Sequence, residues 1–257
     1  MANSKIAVII TAAGSSSRMG SGIKKEYIPF KNGTVLSVCA QAFINACFSK
    51  YEITDFIITC PCGDDGIKQC KKALLPLQNL SQPQLSFPLE KITIVEGGAT
   101  RQASVYKALL AIKNKPEVVV IHDGARPFVS SSLITSCIEA AFEHGASVPG
   151  LTPVDTQKEI DQDGFIIRHL IRDKLCAVQT PQCFDFKKLL KAHELAEKEA
   201  KASKKTDTPE TSKCSTYTDD TEIWGKYCGK VKVVQGDVNN IKITYKEDLQ
   251  KLEAWEQ

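Results

Sequence analysis

The sequence predicts an α/β fold of the doubly wound type, and three observations lead there. Apolar runs of strand length alternate four times with stretches of helical periodicity between residues 5 and 145. The runs end in glycine, proline or small polar residues, which punctuate strands. The connections carry helices, which parallel neighbours need because a two-residue turn cannot join them.

Residues 5–13 read as a buried strand around IAVII, followed by a long loop and a helix over 35–48. DFIITCP, 55–61, is a second strand, and 67–75 a second helix. PLQNLSQPQLSFPLE is a proline-broken connection, and KITIVEGG is a third strand that ends in paired glycines. Helical periodicity restarts over 101–112. EVVVIHDG, 117–124, is the most continuous apolar run, and SSLITSCIEAAFEHG after it reads as a capped helix. Residues 145–184 break the rhythm with short extended pieces and a DQDG turn, which predicts a β-hairpin arm projecting from the sheet over about 152–177. A Lys- and Glu-rich helix follows over 186–205, then the polar segment KTDTPETSKCST, then a helix opened by Thr218 or Asp219 as its cap. The expectation is one domain, 1–257, with the arm as a subdomain.

With 257 residues and 42% hydrophobic content the chain can bury a substantial core. Lys and Arg number 33 against 30 Asp and Glu, and a net charge of +3 is too small for a general nucleic-acid coater. No apolar run is long enough to span a bilayer and no cleavage pattern follows MANSKIAVIITAAG, so the expected setting is cytoplasmic, with no membrane partner. Ten cysteines are then expected to stay reduced. Cys60, Cys62 and Cys70 lack the paired CxxC spacing and fourth ligand of a structural zinc site.

Ligands of open α/β sheets bind beyond the carboxyl ends of the strands, so functional candidates belong on loops that follow strands. In AAGSSSRMG, Gly14 permits unusual torsions, the amides of Ser15 to Ser17 can form an anion nest, and Arg18 and Lys25 supply full charges. That suits a triphosphate, although a small-residue linker is the alternative for this stretch alone. Neither GxxxxGK[ST] nor GxGxxG is present. In GGATRQASV two glycines would let a ligand approach the backbone, and Ser104 could read a nucleobase edge. In HDGARPF, Asp123 suits a sugar hydroxyl or a nucleotide-bound Mg²⁺, Arg126 an ion pair that fixes the loop, and His122 the packed interior. Arg172, Thr180, the Thr218-Asp219-Asp220 run and Lys242 carry little weight singly.

Taken in order, AAGSSSRM, KKEY, GGATRQASV, HDGARPF, PVDT, QTPQCF, TDD and NIKIT resemble the 2-C-methyl-D-erythritol 4-phosphate cytidylyltransferase family of isoprenoid synthesis, over nearly the whole chain. The resemblance implies a Rossmann-like nucleotidyltransferase sheet with helices on both faces and a β-hairpin arm. It implies transfer of CMP from CTP to 2-C-methyl-D-erythritol 4-phosphate, giving 4-diphosphocytidyl-2-C-methyl-D-erythritol and pyrophosphate in the non-mevalonate pathway. Mg²⁺ would be carried mainly by the triphosphate, without a dedicated protein metal site. By the same resemblance Ala12, Ala13, Gly14, Ser15, Arg18 and Lys25 cradle CTP, Gly98 and Ser104 contact cytosine, and Asp123 lies near ribose and phosphates. Arg18, Lys25, Arg172 and Lys242 become the catalytic candidates. Thr156, Arg172, Thr180, Thr218 and Lys242 would hold the acceptor, with Thr156 and Arg172 reaching the partner's site through an arm swapped in a homodimer. Lys24 is left as a surface charge. A ribitol-5-phosphate cytidylyltransferase shares the CTP half of this pattern, and a non-catalytic CTP-binding regulator is the rival from another class. Two departures are visible: Ala99 stands where some members carry an acid, and the connection over 197–216 is longer than usual.

Overall fold

Ile6, Ala7, Val8, Ile9 and Ile10 of the first strand, β1 (Ser4–Thr11), are all fully buried. Successive side chains of a strand point to opposite faces. Ile6, Val8 and Ile10 therefore enter one apolar layer, and Ala7 and Ile9 the other. A strand covered on both faces has no polar side to show, which is why IAVII does not alternate.

The structure is a computed structural model that describes residues 3–20, 22, 24–46, 50–63, 65–79, 87–203, 217–245 and 247–248. After β1 come a small hairpin of β2 (Pro29–Phe30) and β3 (Gly33–Thr34), α1 (Val35–Ile44), β4 (Tyr51–Cys60), α2 (Gly66–Leu74), β5 (Thr93–Glu96), α3 (Arg101–Leu110), β6 (Val118–Asp123) and α4 (Ser131–His144). The second half holds β7 (Ala146–Leu151), β8 (Lys158–Ile160), β9 (Ile166–His169), β10 (Ala177–Val178), β11 (Gln182–Asp185), α5 (Phe186–Ser203), α6 (Asp220–Tyr227) and β12 (Lys232–Gln235). Helix starts follow the hydroxyl-capping rule, in which a side chain satisfies an orphan amide. Thr34 accepts from Ser37 N at 3.1 Å, Thr100 from Ala103 N at 3.1 Å and Ser130 from Leu133 N at 3.3 Å.

The main sheet runs β10, β7, β11, β6, β1, β4, β5, with β12 added on β7. β1 is parallel to β4 and β6, and β4 is parallel to β5. The chain leaves β1 toward β4 and β5, then returns to β6 on the other side of β1, so the strand order reverses between β1 and β6. A crevice opens at such a point beyond the carboxyl ends. Leu36 and Phe43 of α1, Cys70 of α2 and Ile138 of α4 fill one layer; Val105 of α3, Leu189 of α5 and Trp224 of α6 fill the other. This is the α/β sheet with helices on both faces that the alternation predicted.

The irregular second half departs from expectation. β8 and β9 form a free ribbon inside the expected arm of about 152–177, while the flanking ASVPGL and QCFD, and AV at the arm's end, join the main sheet as β7, β11 and β10. β11 lies antiparallel between β6 and β7, an insertion that the helix-strand rhythm does not announce. β12 is a four-residue, largely exposed strand with little apolar signal. The predicted helix over 35–48 is helical to Ile44, and residues 47–49 fall outside the described set. The expected polar loop also lies outside it from 204 to 216, and α5 is described to Ser203. Among the described residues no helix is long and apolar enough to cross a membrane, no cysteine is in a disulfide, and no cluster of His, Cys, Asp and Glu suits a metal ion.

Candidate active site

The loops after β1, β4, β5 and β6 open onto one cavity of about 980 Å³ beside the reversal point. Ala13, Gly14, Ser15, Arg18, Lys25, Gly98, Ser104, Asp123 and Lys242 all line it. The fold thus gathers candidates that are more than two hundred residues apart in sequence, because parallel strands bring their carboxyl ends to one edge.

The first loop is a fixed turn and not a linker. The left-handed residues are Ser16 (φ 55°), Gly20 (φ 60°) and Gly22 (φ 65°), whereas Gly14 is not among the positive-φ positions. Ser16 Oγ donates to Glu26 Oε2 and accepts from Lys25 N, each at 3.3 Å. A Cβ on Gly14 would meet no protein atom within 4 Å, so its bareness leaves room on the cavity side. Ala12 lies behind the loop, with its N–H on Thr59 Oγ1 at 3.0 Å and its carbonyl taken by Lys24.

Lys24 is not a surface charge. Its Nζ donates to Ala12 O and Gly14 O, both at 2.6 Å, and lies 3.7 Å from buried Glu26. Burial lowers its pKa against the pull of Glu26. The ammonium clips the two carbonyls that bracket the cradle. Lys24→Met is expected to lower stability by about 2–3 kcal/mol by leaving buried Glu26 without its counter-charge and two carbonyls without their donor. CTP affinity should fall with it; urea unfolding and a CTP titration check both, and an unchanged titration would separate the clip from binding.

Burial lowers the Lys25 pKa, with Lys242 and Arg18 adding to the shift and Glu26 and Asp123 opposing it. A cation that is poorly solvated and crowded by like charge gains from an incoming polyanion. Arg18 sits at the end of the same loop, its guanidinium over the ring of Tyr245 at 5.8 Å.

Asp123, at the end of β6, holds the centre. Lys242 Nζ lies 2.7 Å from Oδ2, Arg126 Nε 3.6 Å from the same oxygen, and Thr11 Oγ1 donates to Oδ1 at 3.3 Å. Burial alone would raise its pKa, but Lys242, Arg101 and Arg126 hold the carboxyl well below the usual carboxylate range. Arg126 also donates to Asn240 O at 2.6 Å, which ties HDGARPF to the NNIKIT stretch that carries Lys242.

His122 is a packed histidine, as its sequence context implies. Its Nε2 donates to Arg126 O at 3.1 Å. Nδ1 then accepts from Thr180 Oγ1 at 2.9 Å, while that hydroxyl accepts from Asp123 N at 3.1 Å. Thr180 is therefore a buried brace for Asp123, away from the cavity lining. Ser104 lines the cavity, yet its hydroxyl closes its own loop: it accepts from Gly98 N at 3.0 Å and donates to Thr100 O at 2.9 Å. The paired glycines also serve internal packing. A Cβ on Gly97 would fall 2.4 Å from Ala13 Cβ, and one on Gly98 2.4 Å from Ala103 Cβ.

Thr218 is engaged with Glu222 at 2.7 Å and Asp219 is the cap of α6, accepting from Thr221 N and Glu222 N. Thr156 and Arg172 are exposed on the arm, and Arg172 Nη1 donates to Val154 O at 3.0 Å. Within one chain neither they nor Thr218 line the cavity. Sequence reasoning missed Lys24 and Arg101, which do line it; their roles rest on contacts that spacing does not reveal.

A doubly wound sheet whose strand ends bring a bare-backbone loop and several cations to one cavity is built to handle phosphorylated, nucleotide-like substrates. The model of the 2-C-methyl-D-erythritol 4-phosphate cytidylyltransferase family (IspD) matches residues 6–256, and the chain belongs to this family of nucleotidyltransferase enzymes. The family member of Clostridium botulinum (strain 657 / Type Ba4) is 37% identical over 247 residues, 96% of this chain and 95% of its own. That of Clostridium beijerinckii is 35% identical over 244 residues, 95% of each. Among solved structures, the 4-diphosphocytidyl-2C-methyl-D-erythritol synthase of Anaerococcus prevotii superposes with a TM-score of 0.74 at 29% identity, covering 98% of this chain and 96% of that one. The cytidylyltransferase of Thermus thermophilus gives 0.68 at 28%, covering 100% and 99%.

Proposed function

We propose that the chain transfers CMP from CTP to 2-C-methyl-D-erythritol 4-phosphate, releasing pyrophosphate, in isoprenoid synthesis. The observation that carries this reading is the convergence of Arg18, Lys25, Asp123 and Lys242 on one cavity at the end of β1, with Lys242 paired to Asp123. The acceptor phosphate is already a nucleophile. The protein has to place it in line with the α-phosphorus and to neutralise the charge that gathers there, so cations matter more than a general base. Arg18 and Lys25 take that charge, and the β1 loop cradles the triphosphate. Lys242, aimed by Asp123, orients the acceptor.

The donor set fits Mg²⁺ carried by phosphates: Asp123 is a carboxylate of the cavity, and it is already engaged by Lys242. When bound to the triphosphate, Mg²⁺ would neutralise its charge, and Asp123 would stand beside the metal-bound phosphates. A reducing, cytoplasmic setting suits the cysteines of the described residues, all of which are free thiols.

The arm supports a homodimer. A two-stranded ribbon is marginal alone, yet this one exposes Val154 (86%), Phe165 (71%) and Ile171 (61%). A partner covering these side chains would gain apolar burial, and the exchange would carry Thr156 and Arg172 to the partner's cavity. Mixing Arg172→Ala with Lys25→Ala chains should then restore part of the activity that each lacks; absence of complementation would count against the swap.

The direct test is incubation with CTP, Mg²⁺ and methylerythritol phosphate, with ribitol 5-phosphate alongside. Pyrophosphate release specific to methylerythritol phosphate is the expected result. Preference for ribitol phosphate would reassign the acceptor, and CTP binding without turnover of either would favour a silent binding protein.

A further inference from the structure

Arg18, Lys25 and Lys242 have roles in the transfer reaction, whereas Arg101 has none, although the fold fixes it with more care than any of them. Arg101 is the first residue of α3 and lines the cavity with 27% of its side chain exposed. Its Nη1 donates at 2.6 Å to Oδ2 of Asp220, a fully buried carboxylate in the first turn of α6. The other oxygen, Oδ1, lies 3.1 Å from Nε2 of His193 on α5, which is also fully buried. The His193 ring stacks on Tyr106 of α3, centroids 5.9 Å apart and planes within 5°. The contacts thus start on α3, pass through α6 and α5, and return to α3 one turn further on.

Burial would raise the Asp220 pKa, but the Arg101 charge and the His193 hydrogen bond win, and the carboxyl is held below its usual value. A permanently charged carboxylate in the interior is a poor way to fill space, since apolar side chains of similar volume stabilise as well or better. It is a good way to hold a guanidinium plane. Arginine has five N–H donors in a rigid fork. Asp220 takes one from behind, and among the described residues the others meet no acceptor. Against the effect of burial, Lys242 and then Arg101 keep Asp123 ionised, so the Arg101 charge is felt at the centre of the cavity.

We propose that Arg101 is a binding residue that grips a phosphate of the substrates with its free donors, and that Asp220 and His193 are positioning residues that set its plane. This rests on the nucleotidyl-transfer reading, which brings phosphates of two sources, the nucleotide and the acceptor, into the cavity.

The experiment uses the full chain and the variants Arg101→Ala, Arg101→Lys, Asp220→Asn and the double variant Arg101→Ala/Asp220→Asn. CTP affinity is read by calorimetry, KM for CTP and for methylerythritol phosphate by pyrophosphate release, and folding by thermal melts. Arg101→Ala is expected to weaken one substrate by roughly 10- to 100-fold, the worth of a hydrogen bond to a charged group. A shift in the CTP constants names the nucleotide phosphate, and a shift in the acceptor KM names the acceptor phosphate. Arg101→Lys keeps the charge without the fork and should recover only part of the loss. Asp220→Asn should move the same constant by a smaller factor, and the double variant should be no worse than Arg101→Ala, because Asp220 acts through Arg101. His193→Gln tests the relay should Asp220→Asn not fold. Unchanged substrate constants in Arg101→Ala, or an additive double variant, would overturn the proposal. If the unmodified protein turns over no acceptor, the transfer reading fails by itself, while the CTP titration of Arg101→Ala still decides whether this arginine binds phosphate.

Discussion

Arg18→Ala is expected to cut turnover by roughly 10²- to 10³-fold while CTP affinity falls only modestly, the pattern of a lost donor to transition-state charge. Arg18 shares the cavity with Lys25, and the two cations stand on the loop expected to face the triphosphate. Ground-state binding is spread over the loop backbone, Lys25 and the metal-bound phosphates, so losing one side chain costs little there. At the α-phosphorus the charge is concentrated and the nearest donors count for most. Single-turnover rates at saturating CTP, beside a calorimetric CTP titration, separate the two. Near-normal turnover would remove Arg18 from the chemistry, and an equal fall in both quantities would make it a uniform binding residue.

Folding stability is expected to fall by about 3 kcal/mol between pH 6.5 and pH 4 through His122 alone. The buried ring donates from Nε2 to Arg126 O and accepts at Nδ1 from Thr180, so a second ring proton would face a hydroxyl already accepting from Asp123 N. Burial is the main cause that lowers its pKa from 6.5 to about 4. Between these values the unfolded chain binds the proton and the folded one does not. The stabilisation is full above the unfolded pKa and drains away as pH falls toward the folded one. Asp123 has the same sign in a lower window: its depressed pKa stabilises above the unfolded carboxylate value and is lost below it. Urea midpoints across pH 7.5 to 4.5 test the histidine separately from the carboxylate. A flat profile over that range would mean that His122 is charged or solvent-accessible in the fold.

Much of the architecture could be read from the chain because it depends on local patterns. IAVII and VVVI are unbroken apolar runs for the same reason that they are central strands, and Thr100 and Ser130 mark helix starts because their hydroxyls cap them. The sheet beyond β6 was not legible, since β11 reaches its place by antiparallel insertion and β12 is too short and exposed to show periodicity. The site divides along the same line. Arg18, Lys25, Asp123 and Lys242 follow from strand-end position and from the family pattern, and one cavity gathers them. Gly14 invited a torsional explanation that belongs to Ser16, because the sequence shows which residue is permissive and not which one is twisted. Lys24 was dismissed because its two carbonyl partners are backbone atoms and leave no mark in the sequence. The Arg101–Asp220 pair spans 119 positions, beyond any local pattern.

The alternation of β1 between two layers has a bearing on how the enzyme matures. Ile9 rests on one helical layer and Ile10 on the other, and the next residues are Thr11 and the cradle itself. A folding intermediate with a single layer in place would anchor the catalytic loop by half of its foundation. Activity is therefore expected to return on refolding only once both layers are packed against β1.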